Sequence, residues 1–447
     1  MTIDPVKYLK SICSVRETTS QVFQYACKNH GGNHFDLELS QMAPVADFLC
    51  SIIERDYGTN YVQIPSHGRW QHLNYGSQPR VESLIQQWTE AGVDKIEIAR
   101  KLIDLFVLSV LVDAGAGNVW KYTIPGSAND TQQQVGRSEG LAVASYYMFA
   151  EGQFSSDPQD SFKVCGSALE GFSLQDFAKG FQISNANPMD GFEGRLQLIQ
   201  RLGRALNSNA DIFGPEGRPG GIVDYLYGLA KKTSGGECVI DLEDVWDALM
   251  AGLTSIWPAG RTVVNGEPLG DVWSLDTKAD AVSSGVATAP ENVPTDLVTF
   301  HKLTQWLCYS LLVPLEQYGH QFTITNKQLQ TGLPEYRNGG LFYDFGVLKL
   351  KPEALERGLK LSVKLQKPNT TLPTFEPQDG AIVEWRCLTI GLLDYLLPIV
   401  NEKLGYQLSL PQLIEAGSWK AGREIAAKLR PETNGPPIDL HSDGTVF

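Results

Sequence analysis

A mainly α fold with small β pieces is what this 447-residue chain predicts. Three observations carry the prediction. Apolar residues recur at helical spacing along nearly the whole chain. Period-two alternation, the mark of a half-buried strand, is scarce. Finally, 42% of the residues are hydrophobic and 20% charged, enough apolar surface for a large core. We expect about fifteen helices on this pattern.

The first expected helix is Leu39–Tyr57. Ser40 is placed to cap it, Val45, Phe48, Leu49, Ile52 and Ile53 share a face, and Gly58 stops it. Pro65–Gly76 reads as a loop although it holds His67, Arg69, Trp70, His72 and Tyr75. It is either a surface loop anchored by Trp70 or a ligand lid whose Arg69 meets an anion. Asp94–Trp120 is the most apolar helix. Its end, LVDAGAGNVWKY, places Gly115 and Gly117 like a dinucleotide fingerprint. Trp120 stands where the third glycine belongs and no strand precedes, so a Rossmann site is excluded. No phosphate-binding P-loop motif occurs either. Asp113, where the apolar helix meets the glycines, either caps backbone N–H groups or holds a ligand donor.

Gly136–Gly152 and Phe192–Leu206 are expected to be helices. Most of Arg195, Arg201 and Arg204 on the second are expected to form a solvated face. Pro215–Gly221 is a turn and Asp241–Leu253 a helix with an acidic first turn. Asn265-Gly266 signals a hairpin, and the chain from there to Pro294 reads as a long loop. Arg261 in it is a second candidate anion contact. Thr295–Tyr318 is expected to be one helix interrupted by Pro314. That would put His301 and Cys308 on one face, but two further metal ligands are lacking.

Leu333–Val347, LPEYRNGGLFYDFGV, concentrates Glu335, Arg337 and Asp344 among aromatic residues. Asn338, Gly339, Gly340 and Gly346 are expected to break any helix there. Charges among aromatics need partners or a use, so the stretch is either a stapled loop or a polar ligand site. Lys349–Lys367 looks amphipathic and exposed. Ile382–Leu404 is a helix whose start carries Glu384 and Arg386. The terminal Val446 and Phe447 could tuck against the core. The whole chain, 1–447, reads as one catalytic unit with sub-regions 1–210, 211–294 and 295–447.

The net charge is −14, and no basic tract appears, which disfavours nucleic acid as a partner. No apolar run is long enough to span a membrane. The seven cysteines are scattered singly, without a C-x-x-C, and the N-terminus lacks an apolar signal core. A reducing, cytoplasmic setting is expected.

Over essentially the whole chain the sequence resembles the uracil catabolism protein 4 family. The segments carrying this are HGRWQHLN, LSVLVDAGAGNVWKY, GRSEGLAVASYYMF, WPAGRT, LPEYRNGGLFYDFGVL, VEWRCLTIGLLD and SDGTVF. More distantly it resembles the queuosine salvage nucleosidases, which are related in fold to helical DNA glycosylases. Glu335-Tyr336-Arg337 followed by Tyr343, Phe345 and Gly346 stands where that family has Asp-Tyr-Arg and a Tyr-Phe-Gly-like turn. Glu384-Trp385-Arg386 stands where it has Glu-Ile-Arg, and Asp113–Trp120 where it has a turn ending an apolar helix. The carboxylate presumed catalytic in that family is Asp; here the position holds Glu335.

These resemblances imply a DNA-glycosylase-like fold and an N-ribosyl hydrolase. The substrate implied is a small molecule, a ribosylated urea with or without a 5′-phosphate, and no cofactor or metal is implied. Glu335 would be the catalytic carboxylate and Arg337 its orienting partner. Asp113, grouped with them, or Glu384 would bind ribose hydroxyls or urea N–H groups. Arg69, Arg261 and Arg386 would meet phosphate, Trp70 and Trp120 would form walls, and Asp344 would line the site. The arginines could instead pair with Glu384 or another carboxylate. Two other activities stay open: a metal-dependent amidohydrolase acting on the urea group, disfavoured because no H-x-H or H-E-x-x-H spacing exists, and a non-catalytic binding protein.

Overall fold

The computed structural model describes residues 3–113, 115–117, 119–126, 133–257 and 261–441. The fold is mainly α with small strand pairs. The described residues divide into two compact units, each discontinuous in sequence. One falls within Met1–His67, Gly260–Lys302 and Gln328–His441, the other within Gly68–Ala259 and Leu303–Lys327. The expected docking of Val446 and Phe447, and Pro258–Gly260 of the WPAGRT segment, lie outside the described residues.

In the first unit the helix Gly380–Leu404 is the central strut. The Asp379 side chain caps it by accepting from the Ala381 N–H. Every residue from Ala381 to Leu393 is buried. A helix apolar on all sides must be enclosed on all sides, and here Ile12–Asn29, Met42–Tyr57 and Tyr336–Asp344 pack around it. Phe35–Leu37 pairs antiparallel with Leu348–Leu350, and Val272–Ser274 with Leu297–Thr299. The second unit is built on Lys95–Leu111, thirteen of whose residues are buried. Arg137–Ala150 and the short helix Arg69–Leu73 pack beside it. A three-stranded sheet orders Thr323–Thr325, Cys238–Asp241 and Lys231–Lys232.

Several sequence expectations hold locally. Helices begin beside Asp94 and Asp241 as expected, and the structure adds that both side chains cap them. Asn265 and Gly266, at φ of 51° and 82°, turn the hairpin between Val263–Val264 and Glu267–Pro268. Others are overturned. The first helix starts at Met42 after a 3₁₀ turn at Leu39–Gln41, and it is the Glu38 side chain that accepts from the Ser40 N–H. Pro65–Gly76 is not loop throughout, because Arg69–Leu73 forms a helical turn with Arg69 buried. Arg195 is not on a solvated face: it is fully buried and donates to the Val112, Asp190 and Gly115 carbonyls. The expected long loop before Pro294 holds the strand Val272–Ser274 and the helix Asp276–Ser283. The expected helix from Thr295 starts only at Lys302 and then runs through Pro314. His301 precedes it at φ 44°, so His301 and Cys308 do not share a helical face.

The largest correction concerns Leu333–Val347. Gly339 and Gly340 do not break the helix; Tyr336–Asp344 is helical through both. A Cβ at Gly339 would lie 2.8 Å from both Thr389 Oγ1 and Trp385 Nε1, and one at Gly340 would lie 3.0 Å from Pro437. Glycine costs this helix about 1 kcal/mol per residue in propensity. Tertiary packing requires it nonetheless, since no larger residue admits the neighbouring helix so closely.

Candidate active site

Glu335 is the N-cap of Tyr336–Asp344, in extended backbone. Its Oε2 accepts from the Arg337 N–H at 2.8 Å and its Oε1 from the Asn338 N–H at 2.6 Å. Both carboxylate oxygens are therefore oriented by backbone, and the positive end of the helix favours their charge. The side chain stays half-buried. Arg337 contributes its backbone N–H to the orientation of Glu335. Its guanidinium carbon lies 4.2 Å from the Trp419 ring centroid, and only 3% of the residue is exposed. Arg423 approaches the same ring at 5.2 Å.

Trp419 follows a π-helical turn, Ile414–Ser418, wedged between Leu410–Leu413 and Trp419–Leu429. Such turns insert a residue and re-aim side chains, often at functional sites. Here the turn carries Glu415 inward, where its Oε2 lies 2.6 Å from His67 Nδ1. The His67 ring is 5.8 Å from Trp419. Ser418 Oγ donates to Asn338 Oδ1 at 2.8 Å, tying the turn to the helix that Glu335 caps. The first unit thus gathers Glu335, Arg337 and Trp419 beside a buried His67–Glu415 pair. Glu415 and Trp419 carried no signal in the sequence reading. A glutamate inside LIEAGSW is noticeable only once its burial is known.

The Glu384-Trp385-Arg386 triplet splits. Glu384 accepts from the backbone N–H groups of Asn33, His34 and Phe35, and from Thr277 Oγ1. Gly32 packs directly on its carboxyl, leaving no room for a side chain. Burial pushes the Glu384 carboxyl above its ordinary value, against the pull of these donors and of His34. Its lone pairs are occupied by the fold, so the geometry gives it the work of a staple rather than ribose binding. We expect Glu384→Gln, which turns an NH₂ toward backbone donors, to lower stability by about 1–3 kcal/mol. Denaturant unfolding measures this, and an unchanged midpoint would contradict the staple role.

Arg386 is held by Asp271, Nη1 to Oδ1 at 2.8 Å and Nη2 to Oδ2 at 2.7 Å, with Phe300 3.9 Å from the guanidinium. Asp344 is likewise held by Arg430, at 2.8 and 2.5 Å. Arg261 is only partly buried, and its guanidinium lies 5.1 Å from the Trp273 ring.

In the second unit Arg69 and Asp113 come together. Arg69 is fully buried, and its Nη1 donates to Asp113 Oδ2 at 2.8 Å. Nε donates to Ser109 Oγ, Nη2 to the Ser109 carbonyl, and Nη1 also reaches His72 Nδ1 and the Ser138 carbonyl. Burial pulls this guanidinium below its ordinary value, while Asp113 and Glu139 pull it back. Trp120, expected as a wall, is fully buried and donates to the Phe181 carbonyl at 2.8 Å. Trp70 donates to Glu82 and stacks on Tyr318 at 6.0 Å. No cluster of three or more metal-ligating side chains occurs among the described residues.

The family described as "Protein of unknown function (DUF1688)" matches residues 8–447. The chain is 66% identical over 449 residues to "Uracil catabolism protein 4" of Lachancea kluyveri, covering 100% of both. The chain belongs to the uracil catabolism protein 4 family. "Protein urg3" of Schizosaccharomyces pombe is 41% identical over 451 residues, again covering 100% of both. For this member of the family, no helix among the described residues is long and apolar enough to cross a membrane. All seven of its cysteines are free thiols.

Proposed function

We propose that the chain acts in uracil catabolism as an N-ribosyl hydrolase that splits a ribosylurea, preferably as its 5′-phosphate, into urea and the sugar. The name of the 66% identical relative supports the pathway. The observation that carries the chemistry is Glu335, a half-buried carboxylate held rigidly by two backbone N–H groups. Its resemblance in position to the nucleosidase carboxylate supports the same reading, as do the free thiols for a cytoplasmic setting.

Hydrolysis breaks the C1′–N bond, forms a C1′–O bond to water and moves one proton to the departing urea nitrogen. The sugar passes through an oxocarbenium-like state, and a fixed carboxylate stabilises that positive charge without reorganising. Glu335 takes this role. The urea nitrogen needs an acid. His67, oriented by Glu415, is the group in the same unit suited to pass it a proton.

The deciding experiment incubates the full chain with ribosylurea and with its 5′-phosphate, and assays free urea and the released sugar. Failure to release urea from either would overturn the assignment. Of the three arginines proposed for phosphate, Arg69 and Arg386 are committed to Asp113 and Asp271. Arg261 is the more accessible one. We therefore expect Arg261→Ala to lower kcat/KM for the phosphorylated substrate about 10–150-fold more than for the free one. Equal losses on both substrates would remove Arg261 from phosphate binding.

A further inference from the structure

The second unit holds a buried aspartate, Asp104, and a half-buried one, Asp113, whose hydrogen bonding differs. Asp104 is fully satisfied: Oδ2 accepts from Arg218 and the Val164 N–H, and Oδ1 from the Gly220 N–H at 2.6 Å. Asp113 is satisfied on one side only. Its Oδ2 accepts from Arg69 Nη1 at 2.8 Å and Trp306 Nε1 at 3.2 Å. Its Oδ1 is buried, and no donor among the described residues reaches it. The side chain is 8% exposed. A buried carboxylate oxygen without a donor is costly, and folded proteins rarely leave one so.

The surroundings hold Asp113 in place. Arg69 is anchored at Ser109, whose hydroxyl also accepts from Ser145 Oγ at 2.7 Å. Arg195 donates to the carbonyls of Val112 and Gly115 on either side of Asp113. Trp306 is flanked by the His72 ring at 5.4 Å. Two guanidiniums face three carboxylates: Asp113 and Glu139 act on Arg69, and Asp113 and Asp190 act on Arg195. No net positive charge is left for an anion. A group seated on Oδ1 must bring a hydrogen-bond donor and no negative charge.

We propose that Asp113 Oδ1 is the acceptor of a binding site in the second unit for a neutral, donor-bearing small molecule, a polyol or a urea-type amide, and not for phosphate. Arg69 is then a positioning residue that fixes the Asp113 carboxylate through Oδ2. The site rests on the geometry of this unit and stands whether or not ribosylurea is hydrolysed. Ribose hydroxyls and urea N–H groups nevertheless both belong to the class it accepts.

The test titrates the full-length protein with D-ribose, urea and inorganic phosphate in turn, by calorimetry and by saturation-transfer NMR. Asp113→Asn alone leaves the Arg69 charge buried without its counter-ion and endangers folding. The informative variant is therefore Arg69→Met combined with Asp113→Leu, which removes both charges at similar volume. Its melting temperature is read alongside. We expect the wild type to bind ribose or urea, and the folded double variant to bind it about tenfold or more weakly, as loss of a charge-assisted hydrogen bond requires. Equal affinity in both proteins would overturn the proposal. So would the absence of binding by either neutral probe, or phosphate binding that the double variant abolishes. Binding of ribose without ribosylurea turnover would keep this site and remove the hydrolase. Turnover with equal probe binding in both proteins would do the reverse.

Discussion

Asp271→Asn is expected to destabilise the protein by about 3–5 kcal/mol, the cost of stranding a buried charge. That is a large share of the roughly 5–15 kcal/mol by which a domain is stable. Asp271 accepts both Nη groups of Arg386, the Trp273 indole N–H at 2.6 Å and the Lys302 N–H at 3.0 Å. Arg386 is 4% exposed, so an amide at position 271 would leave its guanidinium without a counter-charge in the core. Replacing both partners, Asp271→Leu with Arg386→Met, should be far milder, because no charge is then stranded. Chemical denaturation of the two singles and the double closes a cycle that isolates the pair. A small loss in Asp271→Asn would show that the pair is dispensable. The pair also sets a pH dependence. Burial pushes the Asp271 carboxyl up, but Arg386 and its other donors hold it well below the ordinary carboxylate range. A depressed folded value means that its contribution is complete above the unfolded pKa and declines as pH falls toward the folded value. The protein should therefore lose stability on acidification, and the Leu/Met double variant should lose less.

Glu335→Gln is expected to lower turnover of ribosylurea by about 10²–10⁴, the usual worth of a positioned acid or base. Capping gives Glu335 a structural role as well, and the two roles respond differently to substitution. Glutamine keeps one acceptor for the Arg337 and Asn338 N–H groups, so only about 0.5–2 kcal/mol of cap energy is at stake. Glu335→Asp separates the roles further. Aspartate is a strong N-cap and should leave the melting temperature nearly unchanged, while withdrawing the carboxylate by one methylene. A misplacement of about 1 Å can cost some 10²-fold in rate. If both variants turn over ribosylurea within a few-fold of wild type, Glu335 is a cap and nothing more.

Periodicity made the helical class legible, because a helix that buries one face must repeat its apolar residues whatever it packs against. The Asn265-Gly266 hairpin was legible because its chemistry is local. The concentration of charge at Glu335, Arg337 and Asp344 was visible too. The partners of those charges were not. Glu384 and Arg386 are two residues apart on one helix, yet one binds the backbone at Asn33–Phe35 and the other binds Asp271. Gly339 and Gly340 read as helix breakers because propensity counts only the backbone. The packing of Trp385, Thr389 and Pro437 against them makes their missing side chains a requirement. The π turn that brings Glu415 to His67 has no sequence signature at all. The sequence by itself thus determined the helical class, the Asn265-Gly266 hairpin and which residues bear charge. Only the tertiary structure decided which charge meets which partner, because pairing depends on distances between segments that lie 44 residues apart for Arg69 and Asp113 and 348 for His67 and Glu415.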